Sequence, residues 1–350
     1  MRPRFNAAAD LVRTMRAERA AQKSNAITMS DPESYGRMRR VLSWHPSAGR
    51  VLARVAHSSP PRRHRAGSVQ ALDGDSHFLQ LGEVEEALFA LRSDGYYVFR
   101  SQVAPGLVQG LRDFASVTPC SARPPTGTEV AYPGPRATAG RYDFSEEVIL
   151  TSPAAQDWAT DPLMRQLAST YLGLPAVLDL VAMWWTTWAD PDERDGNAQM
   201  FHADRDRLAF VKFFIYLSDV DCNSGPHVYV PGSHRRAPRR LQSDRRFTDH
   251  EVMLTLEGGR SHLRAPVEIE GPAGTVFVAD TRGLHKGKSP TVGDRLVLQS
   301  EFSSSLLGAP FERPHVLPVG VCAERLAADA TTYRRWIIPG PEEGSYMHQG

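Results

Sequence analysis

From Gly82 onward the apolar positions recur at helical spacing. Val84, Leu88 and Leu91 share one face of Gly82–Ser93, which predicts a short amphipathic helix. Asp94-Gly95 is a turn signal, and Tyr96–Arg100 behind it is rich in β-favouring residues. A second helix is expected over Ala104–Ala115, with Pro105 near its first turn and Val108, Leu111 and Phe114 on one face. Residues 120–140, rich in Pro, Gly and Thr, read as a long loop, and a helical stretch follows near 161–173.

Beyond that point the pattern becomes strand. Ala176–Trp188 is apolar and aromatic, Ala209–Leu217 is a continuous β run, and Val228–Val230, Thr275–Ala279 and Arg295–Phe302 follow. Turn signals separate them: Asn223-Ser224-Gly225-Pro226, Pro231-Gly232-Ser233, Gly271-Pro272, Gly274 and Gly293-Asp294. Many short strands so punctuated predict a mainly β fold, a sandwich or jelly roll with flanking helices from the first third of the chain. There is no internal repeat.

The first 75 residues have a different texture. Residues 1–28 are compatible with a loosely amphipathic helix; residues 29–70, with Asp31-Pro32, Ser58-Ser59-Pro60-Pro61 and Arg62-Arg63-His64-Arg65, read as linker or appendage. Residues 1–70 hold 14 Lys+Arg against 4 Asp+Glu, a net of +10, and the other 280 hold 27 against 36, a net of −9. The overall formal charge of +1 hides this asymmetry. A basic tail of this kind is either solvated or a docking segment for an acidic partner. The expected division is a basic extension over 1–75, a catalytic domain over 76–320 and a C-terminal tail or packing segment over 321–350.

Composition narrows the class. With 41% hydrophobic and 23% charged residues the chain is of ordinary globular type, with no whole-chain case for nucleic-acid or membrane binding. Cys120, Cys222 and Cys322 are odd in number and widely spaced, which argues against a disulfide framework or a CxxC zinc site. No apolar run approaches the roughly 18–20 residues that span a bilayer. The N-terminus lacks the apolar core of a secretory signal, so a cytoplasmic protein is expected.

Candidate chemistry begins at Phe201-His202-Ala203-Asp204. In an extended segment residues two apart project to the same side, so the imidazole and the carboxylate can converge on one point. An HxD alone is weak. His285, however, ends the β run Gly274–Asp280 and its Gly turn, and Arg295 opens another strand ten residues later. Two histidines and a carboxylate form the facial triad that leaves positions open on iron(II) for a co-substrate and O2. An arginine beside that triad can anchor a keto acid through two charge-assisted hydrogen bonds, each about 1.5–3 kcal/mol.

In these motifs the chain resembles the phytanoyl-CoA dioxygenase-like branch of the iron(II)/2-oxoglutarate oxygenases, over roughly residues 80–305. Ser93-Asp94-Gly95-Tyr96-Tyr97-Val98 is similar to the family's early strand, His202-Ala203-Asp204 to its HxD, and Tyr216–Asp221 with Ser224–His234 to its strand, turn and PGSH segment. His285 and Arg295 match the distal ligand and the 2-oxoglutarate arginine. The resemblance implies a double-stranded β-helix of cupin-like type, Fe(II) on His202, Asp204 and His285, and 2-oxoglutarate and O2 as co-substrates. It also implies oxidation of a small organic metabolite, with release of succinate and CO2. Halogenating relatives have a small residue in place of the carboxylate ligand, so the resemblance with Asp204 implies hydroxylation or another hydrogen-abstraction outcome. One departure is Gly287, where many members carry a small hydroxyl residue; Ser289 is the candidate substitute.

Other residues carry two readings each. Alternation from His202 and Asp204 puts even-numbered residues of the 210–216 run inside, so Lys212 is either a contact for the keto acid's carboxylate or an exposed strand lysine. His227 and His234 are expected to be structural, the serine and histidine of the PGSH segment bracing a turn. Arg235, Arg236, Arg239, Arg240, Arg245 and Arg246 form either a solvated loop or a cationic lid for a phosphate- or carboxylate-bearing substrate. Arg141 and Tyr142, with Trp184, Trp185 and Trp188, are candidates for a substrate wall or simply for core packing. Two rival functions use the same ligands: a cupin-type hydrolase or isomerase on another metal, which does not need Arg295, and a non-catalytic binding member of the fold.

Overall fold

In chain order the elements are α1 (Ala7–Lys23), α2 (Pro32–Trp44), α3 (Ala48–Ala56), α4 (Val84–Ser93), β1 (Tyr96–Gln102), α5 (Pro105–Val117), β2 (Pro119–Arg123), β3 (Glu129–Ala131), β4 (Arg141–Asp143), α6 (Glu146–Ile149), α7 (Pro153–Ala159), α8 (Pro162–Leu172) and β5 (Val177–Thr186). Then come β6 (Phe210–Tyr216), β7 (His227–Tyr229), α9 (Asp249–Glu257), β8 (Val267–Ile269), β9 (Thr275–Ala279), β10 (His285–Gly287), β11 (Arg295–Ser303), β12 (His315–Val316) and β13 (Trp336–Ile337). This computed structural model describes residues 7–23, 32–44, 48–57, 76–124, 129–188, 199–242, 245–258, 263–308, 315–316 and 336–337. The C-terminal segment expected over 321–350 lies almost wholly outside them.

Eight strands form one sheet in the order β1-β9-β6-β11-β5-β4-β2-β3, and three form a second in the order β10-β7-β8, all antiparallel. The two face each other as a jelly roll. Side-chain alternation decides what lies between them: Trp184, Phe214, Tyr216, Phe277 and Val297 of the large sheet meet Tyr229 and Ile269 of the small one. On the outer face Phe213, Ile215, Val278, Leu296 and Leu298 join Leu88 and Leu91 of α4, Leu111 of α5, Trp158 of α7 and Leu167 of α8. With both faces covered, β6 and β11 are buried along their whole length, which is why Ala209–Leu217 is apolar apart from Lys212. The expected mainly β jelly roll with flanking helices is the fold found.

Two regions differ from expectation. Residues 120–140 are not all loop, because β2 and β3 extend the edge of the large sheet; β2 pairs with β4, a partner twenty residues away that local composition does not reveal. Within 29–70, Pro32–Trp44 and Ala48–Ala56 are helix rather than linker. Met38, Val41 and Leu42 of α2 and Leu52, Ala53 and Ala56 of α3 are buried, at about 1.5–3 kcal/mol for each fully buried large side chain. A Cβ on Gly49 would stand 1.9 Å from the Leu208 carbonyl oxygen, so only glycine lets α3 approach the domain this closely. Arg54 Nε donates to Leu172 O at 2.7 Å and Nη2 to Tyr171 O at 3.2 Å, capping the C-terminus of α8. Part of the N-terminal positive charge is therefore structural. The Arg62–Arg65 run lies outside the described residues. No helix among the described residues is long and apolar enough to cross a membrane.

Candidate metal and co-substrate site

His202 and His285 face each other across an isolated antiparallel bridge, each backbone N–H donating to the other's carbonyl at 2.9 Å. This bridge continues the small sheet one step past β10 and holds the two rings 4.3 Å apart. Asp204 is pinned by its own N–H on Thr281 O at 2.9 Å. As a result one ligand atom from each of the three residues lies within 4.8 Å of the others. Nε2 of His202 is 3.4 Å from Asp204 Oδ1, and Nε2 of His285 is 3.5 Å from Oδ2.

The tautomers also fit a metal. His202 Nδ1 lies 2.9 Å from Met200 O and His285 Nδ1 2.9 Å from Gly283 O. A carbonyl only accepts, so both Nδ1 atoms carry the proton and both Nε2 lone pairs point into the cluster. Burial, with His202 beside it, pushes the His285 imidazole down to about 3, so it stays neutral and ligand-competent. Burial alone would raise the Asp204 carboxyl, but the Lys212 ammonium outweighs it and holds the group well below its usual range. Two imidazoles and one carboxylate suit iron(II).

Lys212 does face the interior, but it serves the other end of the site. Its Nζ donates to Asp204 Oδ2 at 2.7 Å and lies 3.2 Å from Glu301 Oε2, directly across the register from β6 to β11. Burial drives the Glu301 carboxyl up to about 8, with Lys212 pulling the other way. Lys212 thus holds a candidate metal ligand instead of reaching toward Arg295.

Arg295, at the start of β11, is buried. Nη1 donates to Gly225 O and Nη2 to Thr186 Oγ1 at 3.3 Å, while Nε has no partner. Gly287 now has a reason: a Cβ there would sit 2.9 Å from Arg295 Nη2. The glycine makes room for the guanidinium, so a hydroxyl side chain at that position would compete with it. Ser289 Oγ is buried without a partner.

Across the sheet Thr186 pairs with both Arg295 and Arg141. Arg141 therefore joins the Arg295 end, stacked on Trp184 at 4.3 Å and bonded to Asp143 at 2.6–2.7 Å. Tyr142 alternates to the opposite face. Its hydroxyl accepts from the N–H groups of Thr138 and Ala139, and its ring packs in the outer core, which removes it from the substrate candidates. Trp185 shares that outer face, stacked on Tyr132, and Trp188 is exposed.

The histidines of the PGSH region part ways. Ser233 braces the turn by accepting from Leu284 N–H at 2.8 Å and donating to Val230 O at 2.6 Å. His234 is buried behind it, against Gly95. His227, expected to be structural, stacks on His285 at 5.3 Å with 14° between the rings, beside Phe214 and Phe277, and its Nε2 has no hydrogen-bond partner. The parity of β7 places it inside, a signal present in the sequence.

A small pocket of about 20 Å³ adjoins Asp204, bounded by Ala203, Arg205, Ala237, Leu241, Gln242, Arg282 and Leu284, and by Leu42 of α2. Of the arginine-rich segment, Arg235, Arg236 and Arg240 are exposed and Arg245 pairs with Glu251 at 2.8 Å. The Arg239 side chain lies outside the description.

The family model described as phytanoyl-CoA dioxygenase matches residues 91–294. None of the curated proteins matches the chain. Among solved structures, EctD from S. alaskensis with bound Fe is similar at 17% identity and a TM-score of 0.46, over 72% of this chain and 85% of that one. HygX from Streptomyces hygroscopicus with nickel and 2-oxoglutarate bound is similar at 18% identity and a TM-score of 0.41, over 68% of this chain and 92% of that one. The epimerase SnoN from nogalamycin biosynthesis, in complex with Fe3+ and alpha ketoglutarate, is similar at 18% identity and a TM-score of 0.42, over 64% and 84% respectively.

Proposed function

Because the chain belongs to the phytanoyl-CoA dioxygenase family and is thus an iron(II)- and 2-oxoglutarate-dependent oxygenase, we propose that it hydroxylates a small organic metabolite, releasing succinate and CO2. The observation that carries this reading is the convergence of His202, Asp204 and His285 on one point. Arg295 supports it from the same interior face. His202, Asp204 and His285 would hold the iron, and Lys212 fixes the rotation of the Asp204 carboxylate through Oδ2. When bound, iron(II) with 2-oxoglutarate and O2 supplies an oxidant able to take hydrogen from a C–H bond.

Arg295 would receive the distal carboxylate of 2-oxoglutarate, adding about 1.5–3 kcal/mol per charge-assisted hydrogen bond. Trp184, Phe214 and Phe277 keep water from that end. Arg295 is what favours this reading over a cupin-type hydrolase or isomerase, which has no use for it. The free cysteines Cys120, buried, and Cys222, exposed, accord with a cytoplasmic setting, and nothing in the net charge calls for a nucleic-acid partner.

The test incubates the Fe(II)-loaded protein with pooled metabolites, 2-oxoglutarate and 18O2. Hydroxylation predicts one labelled oxygen in succinate and one in a product whose mass has risen by one oxygen atom. A product formed with labelled succinate but without labelled oxygen of its own overturns hydroxylation while keeping the oxygenase.

A further inference from the structure

His227 is an interior polar group that neither the metal ligands nor Arg295 account for. It is 8% exposed, and its Nε2 is buried without a hydrogen-bond partner. Its backbone is fixed, because its N–H donates to Tyr216 Oη at 3.0 Å and that hydroxyl donates to Ile269 O at 2.8 Å. Alternation along β7 turns the His227 ring inward with Tyr229, while Val228 packs on the opposite face.

The ring neighbours both ends of the site. At one end it stacks on His285 at 5.3 Å. At the other, Arg295 Nη1 donates to Gly225 O, two residues before His227. The cross-strand partner of His227 is Gly287, which has no side chain and so leaves room for Arg295 Nη2. Phe214 and Phe277 stand 5.3 Å from the ring and offer it no acceptor. Burial, with His285 and Arg295 beside it, keeps the imidazole neutral.

A ring that only filled space here would do so more cheaply as leucine, since a buried polar atom without a partner is costly. Arg295 Nε is orphaned in the same way. A neutral imidazole can carry its proton on either nitrogen, so Nε2 can act as a donor. Two buried nitrogens without acceptors, one on each of two neighbouring side chains, call for an anionic oxygen between the metal ligands and the guanidinium.

We infer that His227 is a second anchor for 2-oxoglutarate, with Nε2–H donating to a carboxylate oxygen of the keto acid alongside Arg295. The inference rests on the reading that Arg295 receives this co-substrate. Gly287 offers the keto acid no side chain, and His227 supplies a polar group from the paired position of the neighbouring strand.

The experiment titrates 2-oxoglutarate anaerobically into the Fe(II)-loaded full-length protein by calorimetry, for wild type, His227→Leu, His227→Gln and Arg295→Ala. His227→Leu should bind it about tenfold to a hundredfold more weakly, the effect of one hydrogen bond to a charged group. His227→Gln, which keeps an N–H donor, should return to within about threefold of wild type. Fe(II) affinity without 2-oxoglutarate should be the same in both His227 variants as in wild type. Urea unfolding of metal-free His227→Leu should show stability equal to or above wild type, since leucine leaves no polar atom unpaired.

A His227→Leu protein that binds 2-oxoglutarate as wild type does overturns the inference. So does a His227→Gln protein as weak as His227→Leu, because ring packing then accounts for the loss. Lost Fe(II) affinity or lost stability in His227→Leu overturns it too, since the ring then serves to hold His285 in place. Arg295→Ala separates the two readings: if it alone is weakened, only the role of His227 falls, and if it titrates like wild type, the Arg295 reading falls with it.

Discussion

Lys212→Met isolates what one buried cation contributes to the site. Lys212 and Asp204 keep 10% and 15% side-chain exposure and lie 2.7 Å apart. Removing one partner of such a pair costs about 3–5 kcal/mol, because the other charge stays behind. The residual exposure of Asp204 puts the expected loss near the lower end, about 3 kcal/mol. Glu301, raised to about 8, is mostly protonated at neutral pH and adds little to it. Methionine keeps the length of the lysine stem, so packing on β6 changes little.

The assay is urea unfolding of the metal-free wild type, Lys212→Met, Asp204→Asn and the double variant. In the Asp204→Asn background no orphan carboxylate remains, so the lysine substitution should cost under about 1 kcal/mol, a coupling of about 2 kcal/mol. Zn(II), a silent divalent substitute, should restore Lys212→Met more than it stabilises the wild type, since it returns positive charge to Asp204. The reasoning is refuted if Lys212→Met alone unfolds within about 1 kcal/mol of wild type, or if its cost is the same in the Asp204→Asn background as with Asp204 intact.

Gly287→Ala should push Arg295 Nη2 from its place and weaken 2-oxoglutarate by about tenfold to a hundredfold, read by titration of the charge-transfer band, with divalent-metal affinity unchanged. His234 is held down to about 4 by burial, so it folds neutral. The unfolded state binds more protons between about 6.5 and 4, and stability should fall through that window on acidification; His234→Leu should shallow the slope by up to about 1.4 kcal/mol per pH unit, measured by urea unfolding at several pH values. Arg54→Met strips two bonds from the α8 C-terminus and should cost about 1–3 kcal/mol, with faster hydrogen exchange in α3 as the local signature.

The jelly roll and the triad were legible because both rest on period-two alternation. His202 and Asp204 project together from an extended segment, and His285 and Arg295 bound strands whose apolar runs are unmistakable. The same parity puts Lys212 inside. What parity does not supply is the partner: Glu301 stands across the register, 89 residues on, and only the β6–β11 pairing brings it near. The same alternation, carried through β4, separates Arg141 from Tyr142, and neither composition nor aromatic clustering reveals which of the two faces the site. The helices α2 and α3 were hidden for another reason. Their buried residues are few and interspersed with arginine, and those arginines bind carbonyls and a hydroxyl of α8 at distances no local pattern encodes. At Gly287 the sequence shows only a missing hydroxyl, because the Arg295 guanidinium that needs the space comes from another strand.

The most direct test of the central claim is anaerobic addition of Fe(II) and then 2-oxoglutarate to the wild type, Asp204→Ala and Arg295→Ala. The wild type should give a visible charge-transfer band and, on admission of air, succinate. Asp204→Ala should lose tight Fe(II) binding, and Arg295→Ala should keep Fe(II) but need about a hundredfold more 2-oxoglutarate for the same band. A wild type with no band and no succinate contradicts the account, and so does an Arg295→Ala protein that titrates like wild type.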